Sequence, residues 1–369
     1  MDNVASRPTV VIIGGGYGGL RAAKALDEPA NVVLVEAKDA FQHNVAALRA
    51  LVEQRWPPRI FLPYDHLLTN GTVLHDTAVR VDAEHVELAS GQRLTYDFLV
   101  LATGARYPFP AKAAQPHSVD AIADYRAMHG QLADARRVMI LGAGAVGLEL
   151  AGEIAAVWPD KKITLVDLVD HILPGGYDQQ LRDELNRQLD ALGAERVLGS
   201  PLAELPDVAP GELGTIDVTT TAGNRIEADI WFRCFGGSPV TDYLAADLAA
   251  ARTEDGHLAV TPGLQVIGFE TVYAVGDLAA LDVNKAGVAG RQAEVVAANI
   301  TAHIAGDPER ATYTPGPPVI VLPLGPEGGA GQLPNGEIAG AEMVAKVKGR
   351  DMMIDRYVEL LNLPAPVAT

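Results

Sequence analysis

Apolar residues in this chain gather into short unbroken runs, each stopped by glycine or by an acid. Val10-Val11-Ile12-Ile13 runs into Gly14-Gly15-Gly16-Tyr17-Gly18-Gly19, and Val138-Met139-Ile140-Leu141 runs into Gly142-Ala143-Gly144-Ala145-Val146-Gly147. Such runs, bounded by turn residues, predict strands buried on both faces, the kind found in parallel sheets. Asn31 to Glu36 and Lys162 to Asp167 predict a second strand in each half, and each ends in a carboxylate. Phe98-Leu99-Val100-Leu101 stops at Ala102-Thr103-Gly104, and Ile230 to Phe235 stops at Gly236-Gly237. Thr271 to Val275 delivers Gly276-Asp277. Ala78 to Leu94 reads as a hairpin turning at Ser90-Gly91, and Ala286 to Ala305 carries an Ala/Val-rich helical pattern. After Pro315-Gly316-Pro317-Pro318, alternating apolar strands flank a glycine-rich turn from Gly325 to Gly331. A short amphipathic helix from about Met352 to Leu363 follows, with Met353, Tyr357, Leu360 and Leu361 on one face.

The two glycine clusters have the spacing of a dinucleotide fingerprint. Gly14 and Gly142 permit the tight turn out of the strand, and Gly16 and Gly144 let the backbone approach a pyrophosphate. Gly19 and Gly147 let helix and strand pack closely, with the diphosphate on the helix N-terminus. Glu36 lies 36 − 14 = 22 residues past its first glycine and Asp167 lies 167 − 142 = 25 past its own, near the ~20 expected for a ribose-binding acid. The expected fold is therefore α/β, with two Rossmann-like dinucleotide-binding domains, one inserted in the other, and a small C-terminal α+β module. The boundaries fall at 1–117 and 241–305 for the interrupted domain, 118–240 for the inserted one, and 306–369 for the module.

Charge and cysteine content narrow the function. With 29 basic and 47 acidic residues the net charge is −18, a field that repels nucleic acid, anionic lipid and acidic electron carriers. No run approaches the ~18 apolar residues of a membrane span. Met1 to Arg7 has no apolar signal core, so the expected location is the cytoplasm, with at most weak peripheral membrane attachment through the tail helix. The single cysteine, Cys234, cannot make a disulfide within the chain and reads as a small buried hydrophobe. The nine histidines show no metal-ligand spacing, so no metal is expected.

The ordered set of both fingerprints, the Ala-Thr-Gly turn, Glu149, the closing glycine turn and Thr-Val-Tyr-Ala-Val-Gly-Asp resembles the signature of two-dinucleotide-binding flavoproteins. Phe41-Gln42-His43-Asn44-Val45-Ala46-Ala47-Leu48-Arg49-Ala50, Lys285-Ala286-Gly287 and Gly329-Ala330-Gly331-Gln332 resemble the apoptosis-inducing-factor homologue, ferroptosis-suppressor branch of NAD(P)H:quinone oxidoreductases. Type II NADH dehydrogenases are more distantly similar. The resemblance implies FAD in the interrupted domain and NAD(P)H in the inserted one, with a quinone-type acceptor. The stretch where disulfide-reducing members carry a redox cysteine reads His43-Asn44-Val45 here, with no sulfur. Electrons are thus expected to leave directly from the flavin.

By the same resemblance, Glu36 holds the FAD ribose and Asp277 the ribityl chain, with Tyr17, Asn44, Arg49, Thr103 and Gly104 also toward FAD. Val146 and Gly236 belong to the nicotinamide nucleotide. Lys38 is either an adenosine contact or a solvated charge. Glu149 either reaches the nicotinamide carboxamide or simply favours the helix dipole. His43 either relays a proton or packs beside the flavin, and Lys285 either stabilises a developing anion or sits on the surface. Asp167, with no arginine among Leu168-Val169-Asp170-His171, predicts NADH over NADPH. Two alternatives stay open: a reductase of a small iron–sulfur carrier, and a redox-sensing or signalling flavoprotein. The sequence does not identify the oligomeric state.

Overall fold

In the computed structural model, which describes residues 7–282 and 286–364, the apolar runs form two all-parallel sheets. The first has five strands in the spatial order Val272–Ala274, Phe98–Leu101, Thr9–Ile13, Asn31–Glu36 and Thr72–His75. The second has four, in the order Glu195–Val197, Lys162–Val166, Arg137–Leu141 and Ile230–Arg233. Strands on both sides of the second sheet in sequence thus contribute to the first. The α/β class holds.

Each face of the first sheet buries its own set of side chains. Val10, Ile12, Leu34 and Val100 pack under the helices Tyr17–Leu26 and Ala286–Ile304. Val11, Ile13, Leu99 and Leu101 point the other way, toward Val81, Val86 and Leu88 of an antiparallel meander. That meander has three strands, Ala78–Val81, His85–Leu88 and Arg93–Thr95. The region expected to be a hairpin has an additional turn because Asp82 accepts backbone N–H bonds from Glu84 (3.0 Å) and His85 (2.8 Å), an Asx turn. In the second sheet, Val138 and Ile140 pack on the helix Ala145–Val157, while Met139, Leu141 and Trp231 pack on the hairpin Ile216–Thr219/Arg225–Ala228.

The two fingerprints are near copies in backbone as well as sequence. Gly14 has φ +99° and Gly142 +109°, where an L side chain is strained. Gly16 and Gly144 then cap their helices at φ −73°, ψ −165° and φ −76°, ψ −173°. A Cβ on Gly19 or Gly147 would collide with the carbonyl oxygen of Gly14 or Gly142.

The C-terminal module is a three-stranded antiparallel sheet, Ile320–Leu324, Gly328–Gln332 and Ile338–Ala339. Most of the glycine-rich stretch expected as a turn is therefore strand. Its glycines answer a packing demand, since a Cβ on Gly331 would lie 2.8 Å from the Ile320 carbonyl oxygen. The sheet lies on the helix Ala145–Val157, so closely that Gly152 meets Leu324 backbone to backbone. The last helix, Ile354–Leu360, is shorter than the expected Met352 to Leu363 because Met352 and Met353 adopt left-handed φ values of 53° and 60°. Its Tyr357 and Leu361 face back into the core beneath the first sheet.

Candidate functional site

At the carboxyl ends of the first sheet's strands opens a cavity of about 500 Å³. Gly14, Gly15, Gly16 and Tyr17 form one wall, Thr103, Gly104 and Asp277 another. Glu36 stands at the end of its strand and braces the glycine loop, accepting the backbone N–H of Gly15 and that of Lys38 (2.8 Å). Lys38 lines the same cavity and is not a solvated charge. Its Nζ donates to Gln42 Oε1 (2.8 Å) and the Ala113 carbonyl (2.5 Å), and burial lowers its pKa to about 8. Lys112, also on the wall, donates to the Ala105 carbonyl at 2.8 Å, and burial likewise lowers its pKa. Burial pushes the Asp277 carboxyl up, against the Tyr107 hydroxyl that donates to it at 2.9 Å.

The second unit reaches this cavity through Val146 and Glu149, in the first turns of its fingerprint helix. Glu149 Oε1 accepts from Lys348 Nζ at 2.7 Å, with both side chains largely shielded. Lys348 comes from the C-terminal module and escaped the sequence reading. No local pattern marks a pair 199 residues apart. Asp167 repeats the role of Glu36 in its own half, accepting from Ala143 N–H (2.6 Å) and Val169 N–H (2.9 Å). Gly236, at φ +83°, turns the chain beyond the fourth strand.

Two side chains expected beside the flavin, those of His43 and Arg49, do not line the cavity. His43 is fully buried, its Nε2 donating to the Met352 carbonyl (2.7 Å) and its Nδ1 facing the Tyr17 hydroxyl (3.2 Å). Burial lowers its pKa to about 4. Arg49 is buried against Glu153, with Nη2 at 2.8 Å from Glu153 Oε1 and 2.8 Å from the Gly349 carbonyl. Lys285 lies outside the described residues. Cys234 follows the fourth strand of the second sheet, and burial pushes its thiol up to about 12. Among the described residues no cluster of three or more His, Cys, Asp or Glu has metal-binding geometry, and no helix is long and apolar enough to cross a membrane.

The residues present suit a dinucleotide at each fingerprint. A Cβ built on Gly16 or Gly144 points into open space, although the neighbouring glycines are crowded. In the first unit Asn44, on the cavity wall, holds a buried Oδ1 with no protein partner. That pairing of an open cradle with an unmet polar atom is what a bound polar ligand completes.

Comparison with known proteins gives a consistent answer. Residues 8–294 match the family described as pyridine nucleotide-disulphide oxidoreductase. Apoptosis-inducing factor homolog B of Dictyostelium discoideum is 30% identical, covering 98% of this chain and 99% of that protein. Ferroptosis suppressor protein 1 of Homo sapiens is 35% identical over 97% of this chain and 96% of that protein. Among solved structures, an NAD-dependent persulfide reductase from A. fulgidus superposes with a TM-score of 0.66 at 21% identity. That superposition covers 85% of this chain but only 61% of the larger protein, and at such identity it speaks to the fold alone.

Proposed function

Because the chain belongs to the pyridine nucleotide-disulphide oxidoreductase family, which implies FAD and NAD(P)H, we propose that it oxidises NADH and reduces a quinone-type acceptor without a redox disulfide. The observation that carries this reading is the shared cavity, where the first fingerprint and Asp277 meet Val146 and Glu149 of the second unit. When bound, FAD supplies hydride acceptance from the nicotinamide and electron release to the acceptor.

The protein's part is to bind, orient and exclude water. Gly14 to Gly18 would receive the FAD pyrophosphate, Glu36 its ribose, and Asp277 its ribityl chain. Asn44 Oδ1 offers a free acceptor on the same wall. Lys38 and Lys112 add two partly desolvated cations to the lining of the same cavity. Glu149 would orient the nicotinamide, and Lys348 holds that carboxylate in one position. Phe41, Val45 and Leu48 make part of the cavity apolar, which favours a flat, uncharged acceptor over an ionic one. Direct transfer is supported by sulfur placement: the only cysteine has a thiol held protonated and is absent from the cavity wall. Asp167, ending the second strand of the second unit, would accept from a ribose 2′-OH and repel a 2′-phosphate.

Anaerobic stopped-flow separates the two half-reactions. NADH should bleach the flavin, and a soluble naphthoquinone should restore its colour. Glu149→Gln should slow bleaching by about 10²-fold while leaving reoxidation near normal. Reoxidation by a carrier protein but by no quinone would overturn the acceptor assignment. A higher kcat/KM with NADPH would overturn the nucleotide preference.

A further inference from the structure

The second sheet has its strands in the order third, second, first, fourth, so the order of strand addition reverses between the parallel neighbours Arg137–Leu141 and Ile230–Arg233. Ligands of open α/β sheets lie outside the carboxyl ends of the strands at that switch point. Arg233 ends the fourth strand there, in register with Leu141 and so beside Gly142, the first glycine of the fingerprint. The contact is close: a Cβ on Gly142 would lie 2.8 Å from the Cys234 carbonyl oxygen.

Arg233 is exposed, whereas the three strand residues before it are buried. Its guanidinium lies 4.6 Å from the centroid of the Phe235 ring. A Cβ on Gly236 would come within 2.9 Å of its Nη2, so the head group is folded across the Cys234–Gly237 turn. No hydrogen bond or ion pair among the described residues engages it, and the chain around it carries a net charge of −18. The far end of the turn touches the first site, because Gly237 abuts the ring of Tyr107, whose hydroxyl donates to Asp277. A pre-oriented guanidinium with all its donors uncommitted, beside a dinucleotide fingerprint, matches the paired oxygens of a phosphate.

We propose that Arg233, braced on Phe235, binds the pyrophosphate of the nicotinamide nucleotide. This rests on the second unit being the nicotinamide nucleotide site. In a strongly anionic chain, Arg233 also supplies local attraction for a dianionic cofactor, and that attraction weakens with salt.

Two measurements test it, neither of which needs an electron acceptor. Calorimetry with ADP-ribose should show Arg233→Gln weakening binding by about tenfold or more, with Arg233→Lys falling between. Anaerobic flavin reduction should need correspondingly more NADH in Arg233→Gln. Reduction by dihydronicotinamide riboside, which carries the same hydride and no phosphate, should be unchanged. ADP-ribose affinity within twofold of wild type, or no measurable ADP-ribose binding by the wild type, would overturn the assignment. Equal losses with NADH and the riboside would overturn it too, since they would mark a general distortion of the turn. A loss confined to NADPH would instead assign Arg233 to a 2′-phosphate. The expected weakening of ADP-ribose binding in Arg233→Gln, combined with no flavin reduction by any donor even in the wild type, would contradict the proposed oxidoreductase reaction and leave Arg233 as a phosphate ligand.

Discussion

At His43 two hydrogen bonds fix the tautomer. Nε2 faces a carbonyl oxygen, that of Met352, so it must carry the proton. Nδ1 is then an acceptor, filled by the Tyr17 hydroxyl, which in turn accepts the Val45 N–H at 3.0 Å. With its pKa lowered to about 4 by burial, the ring stays neutral at ordinary pH. Unfolded, it protonates near 6.5. Above that pH both states are neutral and the shift has no effect on stability. Between about 6.5 and 4 only the unfolded chain gains the proton, so stability falls as pH falls. Urea unfolding of wild type and His43→Gln should show the gap between them at pH 7 shrinking by about 2 kcal/mol at pH 5. A gap independent of pH would mean that the ring titrates in the folded protein as it does in the unfolded chain. The sequence could present His43 as a candidate but could not choose between relay and packing. That choice depends on Met352, 309 residues away, and on a loop whose left-handed Met352 and Met353 no propensity predicts.

At the scale of elements, legibility follows burial. The central parallel strands were readable because both of their faces are covered, which demands unbroken apolar runs. Thr72–His75 is an edge strand, short and half exposed, and offers no such run. The tail helix gave the right period but left its partner open, since an apolar stripe can face a membrane or the protein's own core. Here the stripe is spent internally. Tyr357 packs 4.7 Å from His43, 5.2 Å from Tyr17 and 5.3 Å from Phe41 by ring centroids, and Leu361 is fully buried. Lys24 Nζ then satisfies the Leu360 carbonyl and Asn362 Oδ1 at the helix end, at 2.5 and 2.8 Å. Leu361→Ala should therefore cost about 2–5 kcal/mol in chemical denaturation. The intact protein should not float with neutral or anionic liposomes, because the apolar face is not available to them. Strong, charge-dependent flotation would show that the helix leaves its seat.

At the scale of the whole molecule, one guanidinium ties together segments that the sequence shows as separate. Arg49 rises from the helix Ala47–Val52, beside the first sheet's cavity. Its Nε and Nη2, one edge of the guanidinium, both donate to the carboxylate of Glu153, on the fingerprint helix of the second unit. Its Nη2 also meets the Gly349 carbonyl of the C-terminal module, and its Cζ lies 5.6 Å from the Trp56 ring centroid. Arg49 and Glu153 are each only 1% exposed, so neither charge can turn to water if the other is lost. The resemblance had directed Arg49 toward the cofactor, whereas the geometry makes it a junction between units. Losing Arg49 strands the buried Glu153, at a cost of about 3–5 kcal/mol, and losing Glu153 leaves Arg49 only the more distant Glu53 carboxylate, 3.6 Å from its Nε. Replacing both members by apolar residues of similar volume removes that penalty, although the Gly349 carbonyl would still lose its donor. Arg49→Met and Glu153→Met should each unfold at markedly lower denaturant, and the double variant should recover most of the loss. The denaturant slope should also fall in the single variants if the units come apart before global unfolding, since less surface is then exposed in the main transition. Additive losses in the double variant would mean that the two residues do not act as a pair, and that the units are held by their apolar contacts alone.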